Sequence, residues 1–214
     1  MPATLSADTS LLCPFTIVVD SNEAAPFHFT GITADGKQKN KTWIVPTVTR
    51  PLYQMGQQRV RVPNGKSYVE LIHGWADYSI DGMESRIQIE RKSVNDLYGT
   101  IGGRRFEFQA EMMVLNECDF AAVVIEGDWR TLLEDPPCSS QVPPKVISRT
   151  ILSWSIRYPR VHWFPCMNRR HAELVTFHLL MKFWEHEQER LKLKSTHDST
   201  SSASPSILEG LIES

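Results

Sequence analysis

Apolar positions along this chain follow two rhythms, one of strand length and one of helical period. Thr16-Ile17-Val18-Val19 is a β-branched run that stops at Asp20, the pattern of a buried strand delivering an acid at its end. Phe27 to Ile32 continues as strand or loop. Tyr68-Val69-Glu70-Leu71-Ile72 and Ala76-Asp77-Tyr78-Ser79-Ile80 read as two further strands, and Asp81-Gly82 as a turn. Arg86 to Lys92 then alternates polar and apolar residues, which places Asp77 and Glu90 on two strands of one hairpin. Phe120 to Ile125 is continuously apolar, as expected of a strand buried on both faces of a sheet, and Val161 to Phe164 forms a last short strand.

The helical rhythm begins at Ser93, with Asp96 three residues later in the manner of a capping box. Gly102-Gly103 breaks the chain, and Arg104 to Asn116 resumes with Phe108, Met112 and Leu115 on one face. Pro136 to Pro144 reads as a loop and Lys145 to Arg157 as a helix. Asn168 can cap a long helix running to about Leu193, with Leu174, Phe177, Leu180, Met181 and Trp184 on its apolar side. From Ser195 the chain turns Ser/Thr-rich. The expected organisation is an N-terminal arm over 1–14, one folded domain over 15–193 and a disordered tail over 194–214. Strands first, then strands and helices in alternation, imply an α/β sandwich around a mixed β-sheet.

Composition agrees with one globular domain. The chain has 214 residues, 41% hydrophobic and 22% charged, with 23 Lys+Arg against 25 Asp+Glu. A net charge of -2 excludes a uniformly basic nucleic-acid coat protein, but the average hides a contrast. The segment 36–66 contains Lys37, Lys39, Lys41, Arg50, Arg59, Arg61 and Lys66 and no acid; without these seven, 16 basic residues face 25 acidic ones. Interleaved with Trp43 and Tyr53, these charges could follow a phosphate backbone and stack on bases, or could line a solvated hairpin with Val60 and Val62 inward. Cys13, Cys118, Cys138 and Cys166 lack metal-finger spacing, which points to a reducing compartment. Met1 to Leu12 has neither a basic n-region nor an apolar h-region, and no stretch reaches the roughly 18–20 apolar residues of a membrane helix. The expectation is a protein without membrane contact, cytoplasmic in a prokaryote or virus and nuclear in a eukaryote.

The chemistry concentrates between Asp77 and Asp96. Side chains alternate along a strand, so Gln88, Glu90 and Lys92 share one face while Ile87, Ile89 and Arg91 share the other. If Asp77 projects toward Glu90 and Lys92, two carboxylates and an ammonium converge, with Asp20 arriving from another strand end. Such a set suits a hard divalent ion, which needs oxygen ligands and keeps several waters. With that ion the matching chemistry is phosphodiester hydrolysis. On spacing alone the same residues also read as a solvated strand end, with Asp96 merely capping a helix.

The strings Ala76-Asp77-Tyr78 and Ile89-Glu90-Arg91-Lys92-Ser93-Val94-Asn95-Asp96-Leu97 resemble the GDY…ERKxxxDL signature of the XPF-like nucleases, whose domain is named after excision repair cross-complementation group four. Gly103-Arg104-Arg105-Phe106 with Gln109 is similar to that family's Arg-Phe-x-x-Gln helix, and Val18-Val19-Asp20-Ser21-Asn22-Glu23 to its VVDxRE strand end. The resemblance implies a PD-(D/E)XK-type fold, a restriction-endonuclease-like three-layer α/β sandwich with a central mixed β-sheet. It also implies a DNA endonuclease dependent on Mg2+, with Mn2+ substituting, selective for branched or flapped DNA in repair or recombination. Asp77 and Glu90 would be metal ligands, joined by Asp20, with Lys92 catalytic. Arg91, Asp20 and Asp96 would support the site.

The same resemblance gives Arg104, Arg105 and Gln109 contacts to the DNA backbone, to which Lys37, Lys39, Lys41, Arg59 and Arg61 of the basic insertion at 36–66 would add. Members pair through the C-terminal helices, which implies a homodimer or heterodimer. Two positions depart from the pattern: Ala76 replaces the family glycine, and Asn22 replaces an arginine, removing a cation that Arg91 or the insertion could resupply. A catalytically inactive DNA-binding scaffold and a sequence-preferring restriction-type enzyme are the competing readings. His73 and His162 read as core or edge residues, and the six tryptophans mainly as core.

Overall fold

The computed structural model describes residues 9–52, 58–61, 68–71 and 76–201; over 58–61, 68–71 and 197–201 only the backbone is described. Tyr53, Lys66, Ile72, His73, most of the arm and residues 202–214 of the tail lie outside the described residues. The chain divides into two compact units between Leu180 and Met181.

The first unit is built on a mixed six-stranded sheet in the order β10-β9-β8-β7-β2-β4. Its strands are β2 (Ile17–Val19), β4 (Thr47–Thr49), β7 (Tyr78–Ile80), β8 (Ile87–Lys92), β9 (Phe120–Ile125) and β10 (Val161–Pro165). β8, β9 and β10 run parallel, β7 lies antiparallel between β8 and β2, and β4 closes the edge parallel to β2. Parallel neighbours need crossovers. Those from β8 to β9 and from β9 to β10 carry the helices α1 (Val94–Gly103), α2 (Arg105–Leu115), α3 (Trp129–Glu134) and α4 (Pro144–Arg157).

Alternation along β9 decides what each face buries. Ala121, Val123 and Ile125 join Leu97, Tyr98 and Ile101 of α1, Phe108, Met112 and Leu115 of α2, and Ile147, Ile151 and Trp154 of α4 in one core. On the opposite side the early turns of α5 (Arg169–Ser201) meet the N-terminal segments: Phe177 stacks on Phe15 at 6.5 Å and lies 6.3 Å from Trp43. Phe27 stacks on Tyr78 at 5.1 Å, and the Phe27 amide donates to Tyr78 Oη at 2.8 Å. Helices on both faces of a mixed sheet make the three-layer α/β sandwich expected from the resemblance.

Phe27 to Ile32 takes the loop alternative of its two readings: Phe29 has a left-handed φ of 54°, and the Glu173 carboxylate accepts from the His28 and Phe29 amides at 3.0 and 2.5 Å. Several elements depart from the sequence reading. Part of the insertion belongs to the sheet, since β4 is its edge strand. β3 (Thr42–Ile44) pairs with β1 (Ser10–Leu12), which gives the end of the arm a structural role, and β5 (Gln58–Arg61) pairs with β6 (Tyr68–Leu71). α3 has a cap in Asp128, whose Oδ1 accepts from the Thr131 amide at 2.8 Å.

The second unit holds the remainder of α5, which runs eight residues past Leu193 to Ser201. The Ser195 and Thr196 hydroxyls donate back to the Lys192 and Leu193 carbonyls at 2.8 Å each, so the start of the segment expected as a disordered tail is accommodated in the helix. Among the described residues no helix is long and apolar enough to cross a membrane.

Candidate active site

The site is assembled by the β7–β8 hairpin. Tyr78 aligns with Ile89 in antiparallel register, so Asp77 stands opposite Glu90 and shares its face. Asp77 accepts from the Arg91 amide at 2.7 Å, which fixes its carboxylate across the strand pair. Lys92, two residues beyond Glu90 on the same face, forms an ion pair with it through Nζ. The convergence of two carboxylates and an ammonium is therefore present.

α1 begins immediately after Lys92. Ser93 Oγ accepts from the Asp96 amide at 3.1 Å and lies 2.6 Å from Asp96 Oδ2. Asp96 is exposed and does the work of a helix cap, the plainer of the two readings of its spacing. Gly127 at the end of β9 permits this geometry, because a Cβ there would stand 2.4 Å from Val94 Cγ2.

Charge crowding dominates the electrostatics. Burial pushes the Asp77 carboxyl well above the ordinary carboxylate range, and the negative charges of Glu90 and Glu23 add to it. Burial likewise raises Glu90, with Lys92 opposing and Glu23 and Asp20 adding. Burial works to lower Lys92, yet Glu90, Glu111 and Asp77 outweigh it and the net shift is upward, so its ammonium stays charged. Glu111 on α2 is pushed up to about 7, first by burial and then by Glu90. Sequence reasoning missed Glu111; its signal was an acid three residues after Phe108, beside the apolar face of α2.

Asp20 is buried beside this site, its two oxygens accepting from the Asn22 and Leu52 amides at 2.9 Å each. It shapes the chain after β2 and acts on Glu90 through its charge. Arg91 points to the other face, as alternation requires. There it donates to Glu23 at 3.1 Å and Glu126 at 2.7 Å and lies over the Phe27 ring at 5.7 Å. Arg169 reaches the same Glu126 at 2.7 Å and covers Phe27 from 5.0 Å. Glu23, also unassigned by sequence reasoning, stood in the strand-end motif. Arg91 is thus tied into an ion-pair network with Glu23, the neighbour of Asn22, and with Glu126.

The residues assigned to DNA are dispersed. Lys37 and Lys39 are exposed and Lys41 half-buried, on the turn leading into β3, whose Trp43 packs toward α5. Arg50 is bound to Asp81, at 2.5 Å, and to Glu84. The side chains of Arg59 and Arg61 lie outside the described set. Arg104 is exposed at the junction of α1 and α2, whereas Arg105 and Gln109 turn inward to α4 and Tyr158.

Asp77 and Glu90, crowded by further acids and answered by one lysine, form an oxygen donor set whose ionised form carries surplus negative charge, which a hard divalent cation fits. Among the described residues no group of three His, Cys, Asp or Glu side chains is placed to hold a metal ion. The fit is therefore to Asp77 and Glu90, completed by a backbone carbonyl or water.

A family model described as the ERCC4 domain matches residues 42–179. The chain belongs to the ERCC4 domain family, the nuclease family its motifs resemble. Among solved structures it is similar to XPF from Aeropyrum pernix, at 16% identity and a TM-score of 0.48 over 83% of this chain and 71% of the other. It is also similar to XPF from Aeropyrum pernix in complex with DNA, at 12% identity and a TM-score of 0.46 over 81% and 66%. No curated protein sequence matches the chain.

Proposed function

We propose that this chain is a metal-dependent DNA endonuclease in which Asp77 and Glu90 hold Mg2+ and Lys92 acts at the reacting phosphate. One observation carries the reading: the β7–β8 register sets Asp77 against Glu90 with Lys92 on the same face. Membership of a nuclease family supports the reaction class. When bound, the ion would polarise a phosphoryl oxygen and lower the pKa of a water. Asp77 and Glu90 orient their oxygens through the hairpin. Lys92, kept charged by its acidic neighbours, donates to the negative charge that develops on the phosphoryl oxygens. Neither carboxylate is well suited to take up a proton as a free base once ion-bound, so the proton of the attacking water leaves to solvent.

Selectivity for branched or flapped DNA, a role in repair or recombination, and pairing through the C-terminal helices extend this reading and rest on the family resemblance. The test is cleavage of duplex, single-stranded, flap and fork DNA with Mg2+ or Mn2+, comparing the wild type with Glu90→Gln and Lys92→Ala. Both substitutions should remove cleavage while DNA binding persists; full activity in both would refute the site. Asn22, with Arg91 tied into ion pairs, favours one competing outcome, a scaffold that binds DNA without cutting, and the same assay on the wild type decides it.

A further inference from the structure

We infer that Arg105, Phe108 and Gln109 form a positioning device for Lys92, and that Arg105 and Gln109 do not grip the DNA backbone. The inference rests on the reading that Lys92 acts at the reacting phosphate.

Arg105 donates from Nη1 to Thr150 Oγ1 at 2.7 Å, and its guanidinium lies 5.2 Å from the Trp154 ring. Gln109, 7% exposed, donates from Nε2 to Tyr158 Oη at 3.0 Å. All three partners are on α4 or its C-terminal cap, so these two side chains of α2 are occupied in fastening that helix to α4. A phosphate could take the Nη1 of Arg105 only by displacing Thr150, and could meet the Gln109 amide only if that buried side chain came to solvent.

Between the two fasteners sits Phe108, fully buried. Its ring meets Trp154 edge-on at 5.5 Å and Trp163 at 6.1 Å, and the Lys92 ammonium lies 5.0 Å from its centroid. A lysine has a long flexible stem and a point charge with no directional fork, so its position must be imposed from outside. Here Glu90 imposes it from the strand and the Phe108 face from α2. The clamp to α4 determines where that face stands.

The experiment uses the full chain and three substitutions: Arg105→Gln, Thr150→Val and Thr150→Ser. Multiple-turnover cleavage of flap DNA with Mg2+ gives kcat and KM, while fluorescence anisotropy in EDTA gives DNA affinity and its salt slope. Arg105→Gln and Thr150→Val should each lower kcat roughly 10-fold, the scale of a small misplacement at a reacting centre, and together should lower it no further. DNA affinity and salt slope should equal the wild type, and Thr150→Ser, which keeps the hydroxyl acceptor, should retain kcat. A salt slope reduced by about 1 in Arg105→Gln would mean that Arg105 neutralises a phosphate in the wild type and would overturn the inference. So would an unchanged kcat in both Arg105→Gln and Thr150→Val. If Arg105→Gln melts too low to assay, Thr150→Val against Thr150→Ser carries the kinetic test. A wild type that binds DNA without cutting would sink the nuclease reading and with it the positioning of Lys92, while the salt slope of Arg105→Gln would still decide whether Arg105 grips the DNA backbone; a wild type that does neither would overturn both.

Discussion

The two faces of β8 carry clusters of buried charge that differ in kind. Arg91 and Arg169 on one face meet Glu23 and Glu126, two cations against two anions, with both guanidiniums over the Phe27 ring. Burial works against the Arg91 charge, yet Glu126 and Glu23 raise its pKa, as in a network that stabilises its own ionisation. On the other face Asp77, Glu90 and Glu111 crowd around one lysine, and burial with mutual repulsion makes all three harder to ionise. A satisfied network holds the fold together, whereas a frustrated one has use for an outside charge. The contrast separates structure from chemistry within six consecutive residues.

The strongest way to break the contrast is to neutralise the crowded face. Asp77→Asn should reduce Mg2+-dependent cleavage by about 10³-fold or more, the scale of losing a principal electrostatic stabiliser. In EDTA the same substitution should raise Tm by about 2 °C or more, because it removes a repelled carboxylate and leaves the Lys92 and Glu90 pair intact. A fall in Tm would show that Asp77 is structural. On the satisfied face the effect should reverse in kind: Arg91→Met leaves Glu23 without its cation and Glu126 with Arg169 alone, and should cost about 3 kcal/mol in urea unfolding. A loss below about 1 kcal/mol would show that the network is not what holds the loop after β2 to β9.

Acid sharpens the comparison further. Glu111 has a folded-state pKa of about 7 against an ordinary 4.5. Its contribution to stability is therefore fully present below pH 4.5 and is lost as pH rises through 7. Melting in EDTA should show this decline between the two values, with Asp77 and Glu90 adding to it, and Glu111→Gln should make it shallower. The smallest effect concerns the lysines toward α5: changing Lys37, Lys39 and Lys41 together to Gln should lower the salt slope of DNA binding by up to about 0.9 for each phosphate no longer neutralised. An unchanged slope would remove that segment from the DNA-binding surface.

Much of this was legible in the chain alone. Strand alternation assigned Glu90 and Lys92 to one face and Arg91 to the other, and the turn at Asp81-Gly82 made the hairpin visible. Glycine pairs and caps marked the helix boundaries, because their backbone requirements are local. β4 was hidden, since a parallel edge strand is defined by a partner about thirty residues away. Phe29 was hidden too, its left-handed backbone being held by Glu173 from α5.

The sequence by itself determined the central strands and longer helices, the hairpin with its Asp77, Glu90 and Lys92, and membership of a recognisable nuclease pattern, all of which follow from short-range periodicity and motif. Only the tertiary structure decided what each charge touches. It turned Arg91 toward Glu23 and Glu126, used Asp20 on backbone amides, brought Glu111 to the lysine and directed Arg105 and Gln109 into α4. The reason is physical: a charged side chain's role depends on burial and on its nearest opposite charge, and both are set by residues distant in the chain.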